Sequence, residues 1–145
     1  DFKSCVCQSF LCSLIMVQQK QITCIRSIVN IGSIYGSLAV DHRIYNNQNK
    51  QTSIAYSTAK GGLNQMSKYL SAYWASMGIR VNVVSPGGVQ REQSPDFLER
   101  YGARVPMGRM ALPQELSGVV AFLLSDASTY ITGMDIMVDG GLHVW

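Results

Sequence analysis

Residues 53–88 read SIAYSTAKGGLNQMSKYLSAYWASMGIRVNVVSPGG, and this stretch decides the fold class. Apolar side chains recur in it at steps of three or four residues, at Ala59, Leu63, Met66, Leu70, Tyr73 and Met77. This spacing puts them on one face of a helix, and Gly78 follows in the position that usually ends one, so we predict a helix over Ser53–Met77. The β-branched run Ile79–Val84 comes next and predicts a strand, which Ser85-Pro86-Gly87-Gly88 breaks.

The same strand pattern occurs twice more, at Ser27–Ile31, closed by Gly32, and at Asp135–Val138. A short helix is predicted near Pro95–Tyr101. Pro113 suits the first position of a further helix. The apolar stripe of that helix is Leu116, Val119, Val120 and Leu123. Helices that alternate with short strands predict a parallel sheet, and therefore an α/β fold of three strands with flanking helices.

The remaining segments carry weaker patterns. Residues 1–21 mix apolar and polar side chains and predict a helix whose pattern Cys and Ser dilute. Residues 36–52 hold several Asn and Gln and no usable period, so we predict a loop there.

The length and composition are those of one globular domain or of part of one. The chain has 145 residues, of which 47% are apolar and 14% charged, and its net charge is +3. These values exclude a disordered, charge-rich chain, and the sequence shows no basic stripe of the kind that binds nucleic acid. No apolar run reaches the roughly 18–20 residues of a membrane span, so we expect a soluble, cytoplasmic protein.

The cysteines point away from a metal site. All four lie in the first 24 residues, at Cys5, Cys7, Cys12 and Cys24. They lack the paired Cys-x-x-Cys spacing of zinc sites, and the two histidines, His42 and His143, lie outside this cluster. We therefore predict no metal and reduced, mostly buried thiols, with a disulfide framework as the alternative.

Three groups of residues could carry chemistry at one edge of the sheet. Tyr56 and Lys60 stand four apart, which puts both on one helix face, and a nearby ammonium stabilises the phenolate that proton exchange requires. By itself such a pair is also typical of a solvated helix face. Ser33 follows the first strand directly, at the end where parallel sheets bind ligands. The Pro86–Val89 turn ends the neighbouring strand at the same edge, where small residues let the backbone approach a planar ligand.

These residues resemble the short-chain dehydrogenase/reductase family. IVNIGSIYG at 28–36 is similar to the strand and turn with its catalytic serine, and YSTAKGGL at 56–63 to its Tyr-x-x-x-Lys helix start. GIRVNVVSPGGV at 78–89 is similar to its next strand and Pro-Gly turn. VPMGRMALPQELSGVVAFLLSDASTYITGMDIMVDGG at 105–141 is similar to its C-terminal segment almost throughout.

The resemblance implies the C-terminal part of a Rossmann-like, doubly wound parallel sheet. Residues 1–145 would form the catalytic part of a single domain, with the nucleotide-binding part before residue 1. It further implies an oxidoreductase that uses NAD or NADP on a small-molecule substrate, and a homodimer or homotetramer. The long helix and the first helix resemble the family's subunit-pairing helices.

The resemblance also implies a role for each site residue. Tyr56 would give or take the hydroxyl proton, Ser33 would hold the substrate oxygen, and Lys60 would lower the energy of the phenolate and bind the nicotinamide ribose. Tyr56 and Lys60 thus also count among the cofactor-binding residues. The residues that line the nicotinamide would be Pro86, Gly87 and Val89.

Two features depart from the family's pattern. The family places an Asn on the helix that residues 1–20 would form, and no Asn occurs before Asn30. The extra residues of the Asp41–Thr52 loop form either a solvated insertion or a lip over the substrate, with Asp41, Arg43 and Tyr45 able to contact hydroxyl groups.

The substrate class stays open at this point. DHRIY at 41–45 and the HVW ending resemble members associated with flagellin-glycan and acylneuraminate-type sugar biosynthesis. Other sugar dehydrogenases and 3-oxoacyl-carrier-protein reductases are the near alternatives. A truncated, non-catalytic remnant or interaction module is the alternative from another class.

Overall fold

The computed structural model describes residues 26–45 and 52–145. Within that part of the chain, three strands form one parallel sheet in the order β1-β2-β3. These are β1 Ser27–Ile31, β2 Arg80–Pro86 and β3 Asp135–Val138. The sheet and the helices beside it confirm the predicted α/β fold of three parallel strands with flanking helices. The helix predicted over residues 1–21 and all four cysteines lie outside the described residues.

The described part of the chain holds three α-helices: α1 Ile54–Trp74, α2 Pro95–Gly102 and α3 Ser117–Leu124. The hydroxyl oxygen of Ser53 starts α1 by accepting the backbone N–H of Tyr56 at 3.2 Å. The α-helix ends at Trp74, earlier than predicted, and Ala75–Met77 tightens into a 3-10 turn before Gly78 with φ 74°.

Two elements near prolines have boundaries that differ from the predicted ones. Pro113 opens the 3-10 turn Pro113–Leu116 rather than the α-helix, which begins at Ser117. β2 continues to Pro86, where the sequence predicted an end at Val84. Proline has no backbone N–H, and a strand tolerates it where no neighbouring strand would accept that hydrogen. On the β1 side, the last hydrogen bond to β2 runs from the Gly32 N–H to the Val84 carbonyl, before Pro86 is reached.

The buried face of α1 differs in part from the predicted stripe. Leu63 and Leu70 are buried as predicted, but Tyr73 and Met77 are 58% and 54% exposed. The residues of α1 that are buried are Leu63, Asn64, Ser67, Leu70, Ser71 and Trp74. Trp74 packs with Leu70 against β2, which leaves Tyr73, about 100° away around the helix, turned towards solvent. Small polar residues belong to this face because they bond to other elements, as Ser67 does when it accepts the Asn30 amide at 2.9 Å.

A second buried cluster joins α2 to the segment after β1. Its members are Ile44, Tyr101, Val105 and Met110. The Arg100 Nε donates to the Ile44 carbonyl at 3.1 Å, so α2 is tied to the 3-10 turn His42–Ile44 by a hydrogen bond as well as by packing. This cluster closes one side of the sheet edge where β1 and β2 end.

Candidate active site

Ser33 lies at the end of β1, as the sequence predicted. Its side chain is buried, and its oxygen accepts the Tyr35 N–H at 3.2 Å as the cap of the 3-10 turn Ile34–Gly36. This bond uses one lone pair of the hydroxyl and leaves its hydrogen for another acceptor. The serine is therefore held in place by local structure and keeps a donor.

Tyr56 and Lys60 lie in the first two turns of α1. The Lys60 Nζ is 5.8 Å from the centre of the Tyr56 ring, so the predicted pair is formed. Nζ also donates to the Ile31 carbonyl at 2.7 Å, which ties the helix to the end of β1 beside Ser33. Tyr56 is 42% exposed, so its phenol is open to an incoming molecule.

An open cleft of about 350 Å³ brings the site together. Ser33, Tyr56, Gly87, Gly88 and Tyr101 are among the residues that line it. Lys60, Pro86 and Val89 are not among its lining residues. Lys60 lies beside Tyr56, while Val89 follows the two glycines and pairs with Ala111 in an isolated parallel bridge.

The two glycines of the turn are required by the protein's own packing. A Cβ on Gly87 would lie 2.8 Å from the Cβ of Asp139, and one on Gly88 would lie 2.6 Å from both the Tyr101 ring and the Met110 methyl. From the sequence, the small residues of this turn are expected to let a ligand approach. The structure adds that the missing side chains face Asp139, Tyr101 and Met110.

Comparison with known proteins identifies the family. A family model described as enoyl-(acyl carrier protein) reductase matches residues 6–143. The galactitol 2-dehydrogenase (L-tagatose-forming) of Cereibacter sphaeroides is 35% identical over 125 residues, covering 82% of this chain and 46% of that protein. The solved short-chain dehydrogenase of Leptospira borgpetersenii, with bound NAD+, is 45% identical with a TM-score of 0.74, covering 80% of this chain and 44% of that one. The chain belongs to the short-chain dehydrogenase/reductase family.

A further solved member carries the other nicotinamide. The gluconate 5-dehydrogenase of Burkholderia cenocepacia, in complex with NADP and tartrate, is 31% identical with a TM-score of 0.71. The match covers 82% of this chain and 45% of the gluconate 5-dehydrogenase. The chain therefore spans less than half the length of these relatives, of which the two solved structures hold NAD+ and NADP.

Sequence reasoning missed Tyr101 and Tyr35, which both line the cleft. Tyr101 is 4% exposed, and burial raises its pKa above the ordinary value. Burial, with help from neighbouring Tyr45, also raises the pKa of Tyr35. The signal that could have found Tyr101 is the Phe97–Tyr101 spacing of four residues in α2, whose rings lie 6.1 Å apart.

The polar side chains in the described part of the Asp41–Thr52 loop pair mostly with each other and with Arg104, which follows α2. Asp41 pairs with Arg43 and with Arg104, each at 2.9 Å. Hydrogen bonds from Arg43 are the main reason that the pKa of Asp41 falls to about 2. The Tyr45 hydroxyl lies 3.1 Å from the Thr52 hydroxyl. The polar groups predicted to face a substrate thus have protein partners, and residues 46–51 lie outside the described part.

Residues 26–45 and 52–145 hold neither a membrane-crossing helix nor a metal-binding cluster. No helix there is long and apolar enough to cross a membrane. No group of three or more His, Cys, Asp or Glu side chains there could hold a metal ion.

Proposed function

We propose that the protein carrying this chain interconverts a hydroxyl and a carbonyl with NAD or NADP, with Tyr56 as the general acid/base. The observation that carries the proposal is the cleft that Ser33 and Tyr56 share, with the Lys60 ammonium 5.8 Å from the Tyr56 ring. A phenol beside a fixed cation can exchange a proton with a substrate hydroxyl, because the cation stabilises the phenolate. Ser33 donates its free hydrogen to the same substrate oxygen and holds it in place.

The residues of the cleft fit the nicotinamide end of the cofactor. Lys60 uses one of its three N–H groups on the Ile31 carbonyl, which leaves two for ribose hydroxyls. Gly87 lines the cleft together with the tyrosine, and Pro86 and Val89 lie beside the two glycines along the chain. When bound, the nicotinamide supplies or accepts the hydride, while the residues of this chain bind, orient and move the proton. The solved relatives hold NAD+ in one case and NADP in another, so both cofactors belong to the proposal.

A polyol or sugar-type compound is the proposed substrate class. The printed names of two relatives, a galactitol dehydrogenase and a gluconate dehydrogenase, support it. Several polar side chains around the cleft, including Tyr35 and Tyr101, suit an oxygen-rich molecule. The narrower flagellin-glycan or acylneuraminate-type assignment, drawn from the sequence at 41–45 and the chain's end, stays a prediction.

A second candidate is the reduction of the acyl chain of an acyl-carrier-protein thioester, at its keto group or its double bond. The description of the matching family model, enoyl-(acyl carrier protein) reductase, favours it. Turnover of acetoacetyl and crotonyl thioesters of a carrier protein, measured beside turnover of polyols, distinguishes this candidate from the first. Turnover of these thioesters with no turnover of polyols would replace the polyol proposal.

Pairing of subunits along α1 is part of the proposal. Tyr69 and Tyr73 lie 67% and 58% exposed on one face, with their rings stacked at 6.2 Å. Exposed aromatic side chains of this size favour contact with another surface. We expect a homodimer or homotetramer of the complete protein in the cytoplasm, and light scattering and cell fractionation test these two points.

Tyr56→Phe in the complete protein tests the catalytic assignment. The substitution removes the only hydroxyl proposed to transfer the proton and leaves the ring, so we expect kcat to fall by about 10²–10⁴-fold with little change in cofactor affinity. Tyr130→Phe is the matched control, because Tyr130 is fully exposed and outside the cleft. A Tyr56→Phe enzyme that retained more than about a tenth of the wild-type rate would overturn the assignment.

A further inference from the structure

Tyr101 forms a wall between two cavities. It lines the cleft that holds Ser33 and Tyr56, and it also lines a neighbouring cavity of about 240 Å³ on its other side. Its position on α2 is set from several directions, since Phe97 packs on its ring and Arg100 bonds the Ile44 carbonyl. A side chain held this firmly can select among substrates by the position of one polar atom.

The hydroxyl of Tyr101 lies at the glycine turn of the cleft. It accepts the backbone N–H of Gly88, and its oxygen lies 3.3 Å from the position that a Cβ on Gly87 would occupy. Gly87 and Gly88 both line the cleft. The polar end of the phenol is therefore next to the surface that a substrate or cofactor would contact.

The hydroxyl hydrogen of Tyr101 is available as a donor. The phenol oxygen can accept bonds and can donate one hydrogen, and its accepting side is used by Gly88. Within residues 26–45 and 52–145, no hydrogen bond takes the hydroxyl hydrogen of Tyr101. Burial raises the pKa of this phenol, so the hydrogen stays on the oxygen throughout the neutral range. A buried donor without a partner is costly, and an oxygen atom of a bound molecule would satisfy it.

We propose that Tyr101 is a specificity-determining residue that donates a hydrogen bond to a second oxygen of the substrate, distinct from the reacting oxygen at Ser33 and Tyr56. This inference rests on the proposed function. It makes the enzyme selective for diols, polyols and hydroxy-ketones over mono-alcohols of the same carbon skeleton. A site built to bond a substrate oxygen discriminates against the analogue that lacks it, because its own polar group is then left unpaired.

Matched substrate pairs test the inference in the complete protein. Butane-2,3-diol is compared with butan-2-ol, and cyclohexane-1,2-diol with cyclohexanol, each with saturating NAD+ or NADP+. For wild type, kcat/KM should favour the diol. In Tyr101→Phe the diol-to-alcohol ratio should fall about tenfold, while kcat/KM for the mono-alcohol changes little, since a hydrogen bond of this kind contributes up to about a tenfold factor.

A control variant and a folding measurement separate this role from a structural one. Tyr130→Phe makes the same chemical change at an exposed site and should leave the ratio within twofold of wild type. Thermal unfolding of each variant shows that it is folded. Loss of both substrates in equal proportion, or an unchanged ratio, in folded Tyr101→Phe would overturn the inference.

Failure of the proposed function has a different signature. A wild-type enzyme that oxidises no member of either pair would overturn the polyol substrate class and this inference with it, whereas a fully active Tyr56→Phe enzyme would overturn the assignment of the cleft itself. An active wild type, an inactive Tyr56→Phe and an unchanged ratio in Tyr101→Phe would leave the proposed function standing and remove only the role of Tyr101.

Discussion

Replacing Gly32 with alanine should destabilise this protein, whereas the same change at Gly118 should stabilise it. Gly32 joins β1 to Ser33, and it is not among the glycines with positive φ, so the backbone itself tolerates alanine. The added Cβ would lie 2.5 Å from the Ser85 Oγ and 2.6 Å from the Val83 Cγ1. At Gly118, in α3, no atom of residues 26–45 and 52–145 lies within 4 Å of the added Cβ, apart from the chain neighbours and the adjacent helix backbone.

The sizes of the two effects follow from these distances. Non-bonded carbon atoms prefer about 3.5–4.0 Å, so the neighbours of Gly32 must move by about 1 Å. Val83 and Ser85 are completely buried, and overpacking of such a site costs about 1–3 kcal/mol in the free energy of unfolding. Alanine at Gly118 should add about 0.5–1 kcal/mol through helix propensity. In a domain of about 150–250 residues, each kcal/mol shifts Tm by about 2–4 °C.

Thermal unfolding of both variants beside wild type measures the difference. We expect Tm to fall for Gly32→Ala and to rise for Gly118→Ala. Since Ser33 is the next residue after Gly32, kcat/KM should fall only in the first variant. Equal Tm values for the two variants would show that the space around Gly32 is larger than the structure gives it, and that the placement of Ser33 is looser.

Three further outcomes are expected. Because the pKa of Asp41 is lowered to about 2, mainly by bonds from Arg43, its stabilising effect should hold above its ordinary pKa and disappear as pH falls towards 2. Asp41→Asn should remove that part of the pH dependence of unfolding, and an identical dependence in both proteins would refute it. Shortening the Asp41–Thr52 loop should raise KM more than it lowers kcat, and unchanged constants on every sugar or polyol would mark it as a solvated insertion. The 145-residue chain alone should bind neither nicotinamide tightly, because its sequence lacks the glycine-rich phosphate loop; calorimetry showing a Kd in the micromolar range or below would contradict this.

Local sequence determined the elements of the fold and the position of the central pair. The alternation of β-branched runs with an amphipathic stretch predicted three parallel strands and the long helix, because both periodicities arise from the backbone's own geometry. The four-residue step from Tyr56 to Lys60 places them one turn apart in any α-helix, and the structure has Nζ 5.8 Å from the ring. The position of Ser33 was also predictable from local sequence, because this serine directly follows a predicted strand.

Only the tertiary structure decided which groups meet across the chain. Trp74 rather than Tyr73 faces the sheet because it packs with Leu70 and Val81, and a helical period alone allows a stripe to be shifted by one residue. β2 extends through Pro86 because its neighbour on that side has already ended, which no local pattern records.

The wall of the cleft depends most on such distant contacts. Tyr101 stands thirteen residues after Gly88, separated from it by an irregular segment and most of α2, and the fit of the ring over the glycine follows from how α2 packs on the turn. Sequence periodicity describes one element at a time, whereas this contact depends on the relative placement of two. For that reason the sequence predicted the proton-transferring pair, and the structure alone located the residue that we propose selects the substrate.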